Sequence, residues 1–276
     1  MKKGRNLRSV NTDGGVNLQF KLLSAIGIII IVSGHCYHGG MELAYNWFPP
    51  YSYNLALFVF ISGYFYKTDY EANVGKYIWK RTKRLLIPAY LWNIFYGGMV
   101  AFLGLFGFTI GAKPDLYNLF VMPFVDGEAF QYNLGSWFVY PLFLVCIINV
   151  LFRKFLKLIH LDNEFIVLIV YLAIGMIGIN TALENPTAIN GIVKLLVRTM
   201  FFLPCYEFGR FYKAVLEKKD TLNNVAYFEI IFAVQLILLT FCKDLEYTPS
   251  SFAKFNNGFI IPYISSITAI AFWLRV

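Results

Sequence analysis

Long apolar runs separated by short polar segments cover most of the chain. Most runs reach the length that a helix needs to cross the hydrocarbon core of a bilayer, roughly 20 residues. The second run is shorter, and Pro49 and Pro50 mark its start. Proline is tolerated in the first turn of a helix, so a helix can begin there. The pattern predicts eight spans, at approximately residues 18–37, 51–66, 85–107, 134–152, 164–180, 191–211, 224–242 and 257–274.

The composition agrees with a location in lipid. Of the 276 residues, 58% are hydrophobic and only 14% are charged, whereas soluble domains carry about a quarter charged residues. A water-soluble domain of this size could not bury so much apolar surface in one core. We therefore expect an all-α fold, a polytopic transmembrane helical bundle. It forms a single membrane-embedded domain over residues 1–276, and the bilayer is its first partner.

The basic residues indicate how the chain is oriented in the membrane. With a cytoplasmic N-terminus, 19 of the 24 Lys and Arg residues fall in inner segments and 5 lie at or near the outer ends. Short cytoplasmic loops of membrane proteins carry this excess. We therefore assign the net charge of +8 to membrane topology and expect no nucleic-acid partner. The expected location is the plasma membrane.

His35 is the first candidate for chemistry. It lies 17 residues after Leu18, at the outer end of the first predicted span, about 25 Å along a helix. An ionisable group at this depth suggests function, and imidazole can accept a proton from a hydroxyl group near neutral pH. The alternatives are an interfacial histidine that caps a helix end, or a metal site with His38 and Glu42. We expect no metal.

Arg81 and Arg84 precede the third predicted span within a basic segment. In an α-helix, residues three apart are neighbours on one face, so two guanidinium groups could bind phosphates there. The alternative is a simple positive-inside anchor for lipid headgroups. Trp137 opens the fourth span, where it could stack on a sugar ring or belong to the aromatic belt at the membrane interface.

The segments around His35, Arg81 and Trp137, together with two further segments, follow one another along the chain. Their order resembles that of the acyltransferase 3 family of integral membrane acyltransferases. No single piece is specific, and the resemblance depends on their order and spacing between about Leu18 and Lys213. The pieces are Gly34-His35; residues 57–65, Leu-Phe-Val-Phe-Ile-Ser-Gly-Tyr-Phe; residues 80–88, Lys-Arg-Thr-Lys-Arg-Leu-Leu-Ile-Pro; Trp137-Phe138; and residues 201–210, Phe-Phe-Leu-Pro-Cys-Tyr-Glu-Phe-Gly-Arg.

The resemblance implies roles for several residues. Many family members O-acetylate surface polysaccharides, and the histidine that ends the first span is their presumed catalytic residue, here His35. The arginines before the third span are implicated in handling the acyl donor, here Arg81 and Arg84. The family usually has a basic residue eleven positions before the histidine. This chain has Ser24 there, with Lys21 one turn earlier as a possible substitute.

The resemblance thus predicts an O-acyltransferase that moves an acyl group, expected to be acetyl, from cytoplasmic acetyl-CoA to a sugar hydroxyl of a cell-envelope polysaccharide or its lipid-linked precursor. Trp137 is the candidate for binding this glycan acceptor. Two alternatives stay open: a transporter or flippase for a lipid-linked glycan, and an inactive paralogue. Family members commonly have about ten spans, so eight spans ending at Val276 also raise the possibility of a truncated C-terminus.

Overall fold

The structure is a computed structural model, which describes residues 11–12, 16–36, 47–108, 111, 113–184, 186, 189–242, 244–245, 247 and 257–276. Within these residues, each predicted apolar run corresponds to a helix. Strand is limited there to the antiparallel pair β1 (Asn11–Thr12) and β2 (Val16–Asn17). The main helices are α1 Leu18–Cys36, α2 Asn54–Tyr64, α3 Val74–Leu105, α4 Val139–Leu158, α5 Glu164–Glu184, α6 Gly191–Phe211, α7 Asn224–Phe241 and α8 Ile261–Arg275. Shorter helical segments are Pro50–Ser52, Thr68–Glu71, Tyr117–Val121, Met122–Val125, Tyr212–Leu216 and Glu217–Lys219. The all-α class is confirmed.

Five helical segments of the described chain are long and apolar enough to span a bilayer. They are α1, α3, α5, α7, and α4 together with the 3₁₀ segment Gln131–Phe138 that precedes it. The helix α2 has 11 residues, which extend only about 16 Å, and α8 has 15. The helix α6 has 21 residues but carries several charges. The count of eight spans therefore stays a prediction.

The third helix begins earlier than the apolar run predicts. The run starts near residue 85, but α3 starts at Val74, so the basic segment before the run is helical. A π-helical turn, Thr82–Leu86, interrupts α3 just before Pro88. Because proline cannot donate a backbone hydrogen bond, the helix ahead of it must adjust, and a π turn is one such adjustment.

The helix α6 occupies the centre of the bundle. It packs against α2, α4 and α5, and nearly every residue from Phe201 to Arg210 is buried. Its charged residues Arg198, Glu207 and Arg210 are buried together with the apolar ones, so other helices enclose it. The closest approach is to α2, where Gly63 and Gly209 each lie against a backbone carbonyl of the partner helix.

Contacts between helix ends place most of the described basic segments at one end of the bundle, called here the basic end. Gln19 of α1 bonds to the carbonyl of Leu274 in α8, and the rings of Phe20 and Tyr64 lie 4.1 Å apart. Arg275 of α8 pairs with Asp220, in the loop before α7. Since α1 begins and α8 ends here, the first and last helices have their chain ends on the same side of the bundle.

We expect reporter enzymes fused after Glu42, Lys80, Glu128 and Lys218 to read outside, inside, outside and inside, respectively. The physical reason is that basic segments stay on the cytoplasmic side, and both termini would then be inside. Cysteine accessibility in intact cells is an independent measurement on the full-length chain. An inside signal after Glu42 would overturn this topology.

Candidate donor and transfer sites

Three of the sequence segments that carry the family resemblance meet at the basic end. Gly63 of α2 lies against the backbone of Tyr206 in α6. The hydroxyl oxygen of Tyr206 is 3.4 Å from that of Tyr77 in α3. Tyr77 in turn accepts a hydrogen bond from Arg81 Nε at 3.0 Å. A continuous line of contacts therefore joins the buried centre of the bundle to one of the two arginines predicted to bind the donor.

Arg81 is half-buried, and two contacts fix its guanidinium group. Besides the Nε hydrogen bond, its guanidinium carbon lies 5.1 Å from the centre of the Tyr77 ring, within the range of a cation–π interaction. Tyr77 precedes Arg81 by four residues, so the two side chains are neighbours on one helix face. These two contacts restrain the guanidinium group in a position from which it can bind an anion.

Arg84 has a different environment from Arg81. It is exposed, and no hydrogen bond or ion pair of its side chain is found in the described part of the chain. The reason is the π turn at Thr82–Leu86. A π turn has more residues per turn than an α turn, so residues three apart fall further short of a full turn and point in more different directions. Arg81 thus faces the bundle, whereas Arg84 points outward.

Aromatic and cationic side chains surround Arg81. The Tyr70 and Tyr77 rings stack with centroids 4.5 Å apart, and Lys80 Nζ donates to the Tyr70 hydroxyl at 3.0 Å. Burial raises the pKa of Tyr70, but the hydrogen bond and the charge of Lys80, with Arg81 and Lys67, outweigh burial and lower the pKa below its ordinary value. Lys80, Arg81 and Lys67 thus place positive charge around the Tyr70 hydroxyl, and such charge favours an anionic ligand.

The sequence did not point to a buried ion-pair network beside this cluster. Arg153 of α4 is fully buried and bonds to Glu207 of α6 at 2.7 Å and to Glu164 of α5 at 2.6 Å. Arg210 bonds to the other oxygen of Glu164 at 2.8 Å. Arg153 and Arg210 therefore neutralise internal carboxylates and join three helices. The one sequence signal for this network was Glu207, an acidic residue inside an apolar run.

A shallow cavity of about 420 Å³ opens at the same end of the bundle. Its lining carries both signs of charge, and Glu71 within it is buried, with Tyr66 donating to one carboxylate oxygen at 3.3 Å. The cavity lies between the loop after α2 and the last turn of α4. It is lined by Thr68, Asp69, Glu71, Ala72, Lys154, Lys157 and Leu158.

His35 lies in the last turn of α1, at the end opposite the basic end. Its side chain is exposed. The neighbouring Gly34 accepts a hydrogen bond at its carbonyl from the Tyr51 hydroxyl at 3.0 Å, which joins the end of α1 to the start of α2. His38 and Glu42, the partners of the metal alternative, lie outside the described residues. Within the described residues, no group of three metal-ligating side chains is present.

Trp137 is half-buried in the 3₁₀ segment before α4. The guanidinium carbon of Arg198 lies 4.5 Å from its ring centre, so a cation occupies one ring face. Arg198 is itself buried and donates to the carbonyl of Gly127. The Phe202 ring lies 6.5 Å away at 26° to the indole plane. An acceptor sugar could therefore use only the remaining exposed part of the indole.

The structure places the predicted catalytic and donor residues at opposite ends of the bundle. Tyr51 contacts Gly34 beside His35, and Gly63 contacts Tyr206 beside the Arg81 cluster. The 12 residues from Tyr51 to Gly63 are almost all helical, so the two sites are about 20 Å apart along the bundle. This separation is shorter than the full hydrocarbon thickness of about 30 Å.

Neither candidate for the missing basic residue contacts His35 or Arg81 in the described part of the chain. The Ser24 hydroxyl donates to the carbonyl of Phe20 at 2.8 Å, within its own helix. Lys21 is exposed near the start of α1. That Lys21 takes the place of the family's basic residue stays a prediction from the sequence.

The described chain is thus a bundle of apolar helices with a cationic cluster at one end and an exposed histidine at the other. A family model described as an acyltransferase domain matches residues 17–276. Since the match covers almost the entire chain, this protein belongs to the acyltransferase 3 family, and its reaction class is O-acyl transfer in a membrane. No curated protein and no solved structure matches the chain.

Proposed function

We propose that the protein transfers an acetyl group from cytoplasmic acetyl-CoA to a sugar hydroxyl of a cell-envelope polysaccharide or of its lipid-linked precursor. The plasma membrane is the proposed location. Family membership supplies the reaction class. The observation that carries the proposal is Arg81, a half-buried cation fixed by Tyr77 at the end of the bundle where the basic segments collect. Guanidinium groups bind phosphates through paired N–H donors.

His35 is the proposed general base. Its imidazole takes the proton of the acceptor hydroxyl as the hydroxyl oxygen attacks the acyl carbon. The carbon–sulfur bond of the thioester breaks, and the sulfur leaves as the thiol of CoA after it gains a proton. The exposure of His35 allows an acceptor to reach it from outside.

The separation of about 20 Å between the two sites sets a requirement on this mechanism. The phosphates of the donor stay near Arg81, and its flexible pantetheine arm extends along the bundle toward His35, or the acyl group is passed along in a separate step. In either case Trp137, at the same end as His35, is the proposed contact for the acceptor sugar.

The test of this function compares cells with and without the gene. We expect envelope glycans from cells that lack the gene to lose O-acetyl esters, measured by NMR, and to regain them when the full chain is expressed. The purified chain in lipid nanodiscs should transfer labelled acetyl from acetyl-CoA to the extracted glycan. Unchanged ester content, together with a changed distribution of lipid-linked glycan across the membrane, would instead favour a transporter.

Replacing Arg81 and Arg84 together with lysine should raise the KM for acetyl-CoA about tenfold, because an ammonium group keeps the charge but loses the two-pronged geometry. Arg81→Lys should account for most of the effect, since Arg84 is exposed and has no described partner. Steady-state kinetics in nanodiscs measure this change. Lys83→Arg, which keeps the charge between the two arginines, is the control.

Membrane orientation should survive the double replacement, because the positive charge is retained. An unchanged KM would show that the two arginines serve only as a topological anchor.

A further inference from the structure

We propose that Tyr77, supported by Tyr206, is the positioning residue that fixes the guanidinium of Arg81 for a phosphate of the acyl-CoA donor. This inference rests on the proposed function of Arg81 as a donor-binding residue. It adds two residues that belong to different helices, α3 and α6, and that the sequence did not single out as functional.

Tyr77 holds Arg81 through two contacts. The Nε–H of Arg81 donates to the Tyr77 hydroxyl at 3.0 Å, while the guanidinium carbon lies 5.1 Å from the Tyr77 ring centre. One tyrosine thus contacts the guanidinium both through its hydroxyl and through its ring. The Nε donor is occupied, and the four N–H donors on the two terminal nitrogens form the fork that matches two phosphate oxygens.

Tyr77 is itself held in place by its neighbours. It is 2% exposed, and its ring is stacked on Tyr70 and meets the edge of Tyr66 with centroids 6.0 Å apart. A long arginine side chain loses rotamer freedom when it binds a ligand, and this loss opposes binding. A fixed tyrosine that already restrains Arg81 reduces that loss.

Tyr206 supports Tyr77 from the centre of the bundle. The Tyr77 hydroxyl lies 3.4 Å from that of Tyr206, close to the upper limit for a hydrogen bond between the two. Tyr206 is fully buried, and its backbone is pressed against Gly63 of α2. The position of the phosphate-binding guanidinium is therefore set by helix packing in the centre of the bundle.

The experiment measures equilibrium binding of acetyl-CoA to the full chain in nanodiscs. Tyr77→Phe keeps the ring but removes the acceptor for Arg81 Nε, and we expect the Kd to rise roughly five- to thirtyfold, the effect of losing a hydrogen bond to a charged group. Tyr206→Phe should raise it by less, about two- to fivefold, because its contact is longer. Tyr171→Phe is the matched control, since it also removes a buried hydroxyl bond, to Asn149 at 3.3 Å, and should leave the Kd within about twofold.

A double-mutant cycle distinguishes positioning from general destabilisation. In an Arg81→Met background, Tyr77→Phe should weaken acetyl-CoA binding little further, because methionine has no N–H for the tyrosine to hold. Additive effects, or equal losses in Tyr77→Phe and Tyr171→Phe, would overturn the inference. If instead the unmodified chain does not bind acetyl-CoA, or Arg81→Lys leaves the Kd unchanged, the proposed donor function itself fails.

Discussion

Replacement of His35 by alanine is expected to reduce acyl transfer by at least a hundred- to ten-thousandfold, the usual contribution of a general base. The acceptor hydroxyl must lose its proton as it attacks the acyl carbon, and imidazole does this best near neutral pH. His35 lies in the last turn of α1, which buries only the face formed by Phe20, Leu23, Gly27, Ile30 and Ser33, and its own side chain is exposed, so an outer acceptor can reach it. Acetyl-ester content of the glycan, normalised to protein in the membrane, measures the effect.

The two other histidines of the chain provide controls. His160 lies in the loop after α4, at the basic end, with a positive φ of 57°. His160→Asn is suitable because asparagine tolerates this left-handed conformation, and activity should be nearly unchanged. His38→Ala should cost much less than His35→Ala, because water competes for a group beyond the apolar run. Retained acetylation in His35→Ala would refute the assignment and favour the transporter alternative.

Replacement of Gly63 or Gly209 by alanine is expected to abolish or strongly reduce the yield of folded protein. A Cβ atom at Gly63 would overlap the carbonyl oxygen of Tyr206, and one at Gly209 would overlap the carbonyl oxygen of Phe60. Overpacking typically costs about 1–3 kcal/mol. Here the obstacle is backbone rather than a movable side chain, so the free energy of unfolding should fall by at least about 3 kcal/mol.

Thermal unfolding and monodisperse yield after detergent extraction measure this loss of stability. The matched control is Gly98→Ala in α3, where an added Cβ meets nothing within 4 Å. Alanine there should be neutral or stabilise the helix by up to about 1 kcal/mol. Normal yield and stability of both Gly63→Ala and Gly209→Ala would show that α2 and α6 do not approach as closely as in this structure.

The clash also has a consequence for donor binding. Tyr206, whose backbone meets Gly63, supports Tyr77 and through it Arg81. Any fraction of Gly63→Ala that still folds at low temperature should therefore bind acetyl-CoA more weakly, with a smaller effect on the transfer step at saturating donor. Helix packing and donor affinity are thus expected to be coupled in this protein.

The glycine contact shows how far a sequence pattern can be used. Small residues such as Ser62 and Gly63 predict close helix approach in membranes, but the pattern does not name the partner helix. Gly209 lies about 150 residues later in the sequence, and both glycines fit because the two helices cross where each lacks a side chain. The pairing became evident only from the packed structure.

The arginine pair shows where local rules failed. Regular α-helical spacing predicted that Arg81 and Arg84 share a face, but the π turn before Pro88 separates their directions. Arg153 and Arg210 were two of the 19 basic residues counted in inner segments, and both form ion pairs with carboxylates inside the bundle. Charge counts along a sequence record sign and side of the membrane, whereas the partner of each charge depends on contacts between helices.

The sequence by itself determined the all-α membrane class, the approximate places of the eight helices α1 to α8 and the family. A bilayer requires long apolar helices, and each such helix corresponds to a run of apolar residues that can be seen in the sequence. Only the tertiary structure decided that Tyr77 and Tyr206 hold Arg81, that Glu207 joins Arg153 in a buried network, and that His35 and Arg81 stand about 20 Å apart. These facts depend on side chains distant in sequence, which meet because close packing and the pairing of buried charges leave one arrangement of helices.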